Sequence, residues 1–217
     1  VITKLRGTPA ELAVAEFNLG MLLLETGAID GAEAHIRSAR RVVQQMGIRR
    51  FLGDVTMGLA WVHFERREYP QAEVELRQAE AIHAETQNTT RVASVLGLRG
   101  LCAIGRGAMS DGIAALSKAV AVEGIDPRAF VYFSVALAVA QIAAGVDEHA
   151  DASLQSAVAV DPQHQIDLMA ARVLAELLLA WLREGRSTAG HQAITAHVEL
   201  CRMPGGADLS APAACSS

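Results

Sequence analysis

Four small residues stand at almost one spacing: Gly20, Ala60, Gly100 and Ala138 lie 40, 40 and 38 residues apart. Twelve residues after each come Ala32, Ala72, Gly112 and Ala150, and seven further on Ala39, Ala79, Ala119 and Ala157. Between the last two of each set sits a bulky aliphatic residue: Ile36, Leu76, Leu116 and Leu154. Gly27, Gly107 and Gly145 share one further offset, where the second unit has Arg67. A period of about 20–50 residues marks a solenoid, in which each unit buries its apolar face only against its neighbours. Small residues recur because a large side chain would hold two crossing helices apart.

The punctuation between these positions reads as helical hairpins. Thr8-Pro9 supplies an N-cap followed by Pro at the first helical position, and Gly27 ends that helix. Asp30 is expected to cap a second helix that stops at Gly47, and a third covers residues 49–67. Tyr69-Pro70 opens a fourth, Thr89 or Thr90 a fifth, and Ser110-Asp111 a sixth that stops at Gly124. Asp126-Pro127 opens a seventh, closed by Gly145, and Asp147 an eighth. Asp161-Pro162 opens a ninth and Ser187 caps a tenth, ending before Pro204-Gly205-Gly206. No period-2 strand pattern survives beside these. The fold expected is all-α, a helical-hairpin solenoid of about five repeats. It forms one continuous domain over residues 1–203, with a disordered Gly/Ala/Pro/Ser tail from 204 to 217.

Composition narrows the class. The chain is 51% hydrophobic but only 4% aromatic, the profile of closely packed helices. A net charge of −5 argues against a nucleic-acid surface, which needs clustered Lys and Arg. Cys102, Cys201 and Cys215 form no CxxC or CxxH pair, which points to a reducing, cytoplasmic setting. No signal peptide is read, and a start at Val1 rather than Met fits a piece of a longer protein. Residues 129–146 carry no formal charge over 18 positions, the lower limit for a membrane span. Their alanines, Ser134 and Gln141, and their register with the repeat favour a buried solenoid helix.

The spacing of Gly20, Ala32, Ile36 and Ala39, repeated in the later units, resembles the tetratricopeptide repeat. Units then start near Ala13, Gly53, Ala93, Val131 and Ala171, and the match spans residues 13–200. That family's usual unit is about 34 residues, so these units have longer helices or turns. The longer form resembles the helical-repeat sensor regions of bacterial transcription regulators of the MalT and AfsR kind. Residues 38–50 (SARRVVQQMGIRR) and 78–91 (QAEAIHAETQNTTR) carry that likeness. The resemblance implies a right-handed superhelix and a role in regulation. Family members that clamp a peptide carboxylate do so with Lys, Arg and Asn. The matching positions here include Val14, Phe17, Asn18, Met21, Asp54, Met57, Gly58 and Trp61, and only Asn18 is of that type. No two-carboxylate clamp is therefore expected.

In this family the first helix of each unit lines the concave surface. The residues so placed are Phe17, Met21 and Leu24; Met57, Trp61 and Phe64; Leu101 and Ile104, with Gly97; and Val135, Val139 and Ile142. A continuous apolar surface of this kind marks a binding site, and Met and Trp suit irregular partners. Two other readings stay open: curvature buries these residues against one another, or a dimer partner covers them. Trp61 is expected to be reachable from the concave side, and Trp181, facing a companion helix, is not.

The remaining candidates carry less chemistry. The seven histidines form no HExxH or i,i+4 pair, so no metal is expected. Gly105-Arg106-Gly107 lacks the Lys-Ser/Thr of a phosphate loop and reads as a turn. Cys102 lies in an apolar helix and reads as inert. Arg172 and Glu176 form an i,i+4 pair. Arg37, Arg40, Arg41, Arg49 and Arg50 form the one basic cluster, read as a solvated helix end. The expectation is a non-enzymatic regulatory or sensor module without cofactor. Its apolar groove would take a hydrophobic peptide, helix or small molecule, with no nucleic acid contacted directly and no membrane. The alternative is a free-standing protein–protein adaptor, with a homodimer left open.

Overall fold

The computed structural model describes residues 8–146, 149–150, 152–153 and 156–157. Expectations for the ninth and tenth helices, the fifth unit, Leu154, Trp181, Arg172–Glu176 and the tail fall outside these residues. Seven helices are described: α1 (Pro9–Glu25), α2 (Ile29–Gln45), α3 (Arg49–Glu65), α4 (Tyr69–Glu85), α5 (Thr89–Gly105), α6 (Met109–Val120) and α7 (Pro127–Ala143). Among the described residues there is no strand. The fold is all-α, and consecutive helices pair as hairpins.

The chain divides into two compact units, Val1–Ile125 and Asp126–Ser217. In the first, α1 packs on α2, α3 on α4 and α5 on α6, while α2 also meets α3 and α4 meets α5. The first helices touch one another as well, α1 with α3 and α3 with α5. They therefore make one layer and the second helices another.

The small-residue ladder sits at the hairpin crossings. Ala32, Ala39, Ala60, Ala72, Ala79 and Ala119 are fully buried. A β-carbon at Gly20 would lie 2.5 Å from Cγ1 of Ile36, and one at Gly100 would lie 2.9 Å from Cγ of Leu116. Ile36, Leu76 and Leu116 fill the middle of each crossing and are fully buried. Each aliphatic residue thus fits a gap that only a small residue opposite can leave.

The period follows from how the helices end. From α1 to α5 each helix has 17 residues and is followed by a three-residue link. In the first link Gly27 N–H donates to the Leu24 carbonyl and Ala28 N–H to that of Leu23, the Schellman pattern. The same pair of bonds recurs at Gly47, Arg67, Gln87, Gly107 and Gly145. All six residues have positive φ, including Arg67 at 60° and Gln87 at 52°. The one shorter repeat has a local origin. α6 stops after 12 residues at Val120, short of the expected Gly124, which makes a separate turn at φ 75° before α7 begins.

Helix starts differ in part from expectation. Thr8 forms a capping box with Glu11, and the Asp126 carboxylate accepts from Arg128 and Ala129 N–H. The residues preceding α2 to α6, however, make no side-chain cap. Each already closes the preceding Schellman turn, which fixes its backbone. Asp30 and Asp111 accordingly lie inside their helices, as the second and third residues of the first turn, where a carboxylate favours the helix dipole.

In the second unit, every residue of α7 from Tyr132 to Ile142 is buried. A helix apolar on all sides is a buried one. Among the described residues, no helix is long and apolar enough to cross a membrane.

Candidate functional site

The layer of first helices holds the apolar positions singled out in the sequence. Phe17 of α1 meets Phe51 of α3 edge to face, with ring centroids 5.5 Å apart. Its ring also covers Gly58, where a β-carbon would lie 2.8 Å from Cε2. Further along α3, Trp61 and Phe64 pack edge to face at 5.7 Å, and Phe64 meets Tyr69 of α4 at 6.2 Å. Such pairs add about 0.5–1.5 kcal/mol each beyond the area they bury. Two aromatic groups are thus set along α3.

Burial separates the candidate residues. Phe17, Met21, Phe64 and Ile104 are half-buried. Met57, Trp61 and Leu101 are 7–9% exposed and form the floor behind them. Leu24 is fully packed, and Ile104 lies over Gly112 of α6. Ile104 therefore faces its companion helix. Gly97 is buried. Val135, Val139 and Ile142 belong to the second unit and are buried within it. The half-exposed apolar residues of the candidate set that do not seat in a hairpin are Phe17 and Met21, with Phe51 beside Phe17; Phe64 leans on Tyr69 of its companion helix α4.

A set of ion pairs, not anticipated from the sequence, ties consecutive elements together. Arg66 binds Asp30 and Glu33 of α2, both at 2.6 Å. Arg40 of α2 reaches Glu75 of α4 at 3.0 Å. Arg99 of α5 holds Glu73 and Glu80 of α4, at 3.1 and 2.9 Å. Burial would raise the Glu33 pKa, but hydrogen bonds from Arg66 and Arg37 outweigh it and the carboxyl titrates below its usual range. Arg37, Arg40 and Arg49 are each paired with a glutamate, so the basic cluster is largely neutralised. A sequence signal did exist: Arg40–Glu75 and Arg66–Asp30 are separated by 35 and 36 residues, close to one repeat.

His83 of α4 is fully buried against the backbone of Gly53. Among the described residues neither ring nitrogen has a hydrogen-bond partner, and Nε2 stands 4.0 Å from Oδ1 of Asp54. Asp54 is itself held by Arg91 at 2.9 Å. Burial lowers the His83 pKa; the Asp54 charge opposes this, and Arg91 and Arg50 reinforce it. His63 bonds Glu68 at 2.7 Å rather than any residue of its own helix, and His35 bonds Glu16. Cys102 is fully buried, and burial pushes its thiol up to about 12, so it stays protonated at neutral pH. Among the described residues no group of three or more His, Cys, Asp or Glu could hold a metal.

No family model matches the chain, and a search of curated proteins finds no significant match.

Proposed function

We propose that the chain is a non-enzymatic binding module of the tetratricopeptide-like kind, serving as the sensor or regulatory part of a bacterial regulator. Its first-helix layer takes an apolar segment of a peptide, a helix or a hydrophobic small molecule. The observation that carries this reading is the aromatic and methionine surface on α1 and α3. Phe17, Met21, Phe51 and Phe64 are half-exposed over a nearly closed floor of Met57 and Trp61. A surface of flat rings and a flexible thioether adapts to an apolar partner while keeping a rigid base. Regulation rests on the family resemblance of the 40-residue spacing, and a cytoplasmic setting on the sparse cysteines, which form no CxxC or CxxH pair.

The test uses Met21→Glu as bait beside the parent chain in an extract of the native host, with thermal stability measured on both. Met21 is half-exposed, so the variant is expected to keep its fold and lose the partner that the parent retains. Equal retention by the two proteins would reject this surface as the site.

A further inference from the structure

The fully buried imidazole of His83 is hydrogen-bonded at neither nitrogen, and a buried polar group without a partner calls for an explanation. Its Nε2 faces Oδ1 of Asp54 on α3 across 4.0 Å. Arg91, in the first turn of α5, holds that same oxygen through Nε at 2.9 Å. The contact is loose: the oxygen is enclosed yet has no aligned hydrogen bond, and the Arg91 side chain is 41% exposed. We propose that His83, Asp54 and Arg91 form a proton-operated latch between the second hairpin (α3–α4) and the third (α5–α6). Protonated His83 takes Asp54 from Arg91, and the first turn of α5 comes free of α3.

The chemistry of the cluster favours this exchange. A neutral imidazole offers one N–H and an imidazolium two, and a buried imidazolium needs a counter-ion. The charged groups that act on His83 are Asp54 and Arg50 of α3 and Arg91 of α5. The glutamates of α4 are taken: Glu73 and Glu80 by Arg99 of α5, Glu75 by Arg40 of α2 and Glu85 by Arg49 of α3. Asp54 is the carboxylate left to His83. Burial opposes the proton, Asp54 favours it, Arg91 opposes it, the Gly53 backbone favours it and Arg50 opposes it, with a net lowering from the ordinary 6.5. The latch is therefore shut above about pH 6.5 and opens as pH falls from there toward the lowered folded-state value. Departure of Arg91 into water removes one opposing charge, so opening and protonation reinforce each other.

The local backbone confines the effect to the start of α5. The next ion pairs of this helix, from Arg99 to Glu73 and Glu80, lie about two turns further along. The residue preceding the helix, Asn88, makes no side-chain cap to it. Asn88 N–H donates to the His83 carbonyl at 2.8 Å, so the link into α5 hangs on the titrating residue itself. Within that link Gln87 holds φ 52°, a conformation unfavourable to an L-residue that release would relax. Loss of the Arg91 contact thus loosens the first turn and leaves the middle of α5 in place.

Amide hydrogen exchange of the full chain, read by mass spectrometry at pH 7.5 and 5.5 and corrected for the chemical rate at each pH, tests the latch. Residues 89–93 are expected to lose about tenfold or more in protection at the lower pH, with α1 and α2 unchanged. His83→Gln is expected to abolish the change. Arg91→Gln, at a partly exposed side chain, is expected to show low protection of 89–93 at both pH values, and it decides the matter should His83→Gln fail to fold. A parent chain with pH-independent protection at 89–93 overturns the proposal. So does a pH effect that persists in either variant, or a loss spread evenly from α1 to α6, which marks global unfolding.

Discussion

The imidazole of His83 on α4 lies flat against the backbone of Gly53 on α3, so close that a β-carbon at residue 53 would stand 2.6 Å from Cε1. No side chain larger than hydrogen fits there unless His83 moves, and His83 is enclosed on every side. Gly53→Ala should therefore overpack the crossing and cost about 1–3 kcal/mol. Calorimetry that finds no loss of melting temperature would mean that the two helices do not meet at this pair.

The same burial gives the protein a pH dependence. Desolvation holds the folded-state pKa of His83 below the ordinary histidine value of 6.5, so the folded protein resists a proton that the unfolded chain accepts. The stability contributed by neutral His83 is complete above about pH 6.5 and is lost as pH falls from there toward the folded pKa. Melting temperatures between pH 7.5 and 5.5 should fall more steeply for the parent than for His83→Gln. Parallel curves would assign the acid sensitivity to other groups.

Arg67 offers a gain in stability. It occupies the left-handed position that Gly27, Gly47 and Gly107 fill in the neighbouring links. An L-residue there costs roughly 1–2 kcal/mol, part of which a glycine returns through the greater freedom of its unfolded chain. Arg67→Gly is expected to raise stability by about 0.5–1 kcal/mol in urea unfolding. A lower midpoint would show that the exposed Arg67 side chain contributes more than its backbone strain costs.

Trp61 is nearly closed off, at 9% exposure, and its ring meets Phe64 edge to face. Trp61→Ala should cost about 3–5 kcal/mol of stability, a structural loss rather than a pure binding loss. With Trp181 changed to Phe, acrylamide should quench the remaining Trp61 emission weakly. Strong quenching would open this part of α3 to solvent.

Most of the fold was legible because the constraint on it is repeated. Gly20, Ala60 and Gly100 each answer one physical demand, close approach of two helices, and three instances make a period visible. The six turns were legible wherever glycine marks them, but Arg67 and Gln87 hide two identical turns behind ordinary side chains. Helix starts were read late, with Asp30 and Ser110 two residues past the true caps Ala28 and Ala108, because the preceding turn, not a polar cap, fixes the backbone there. The candidate surface was read from helical register alone. Register singles out Phe17 and Met21, and both are half-exposed. It could not foresee that Phe64 and Ile104 turn toward the companion helix, since that depends on the crossing geometry of each hairpin. The arginine–carboxylate pairs escaped because their partners lie on other helices, 19 to 36 residues away, with no fixed spacing to mark them.

The central claim is that the α1–α3 aromatic and methionine surface holds an apolar partner. Native mass spectrometry of the chain isolated from its own host tests it most directly. The account predicts a species heavier than the bare chain by one apolar ligand or peptide, reduced to the bare mass by Met21→Glu at similar melting temperature. A bare chain in both proteins under gentle ionisation, with the parent retaining nothing, would contradict it.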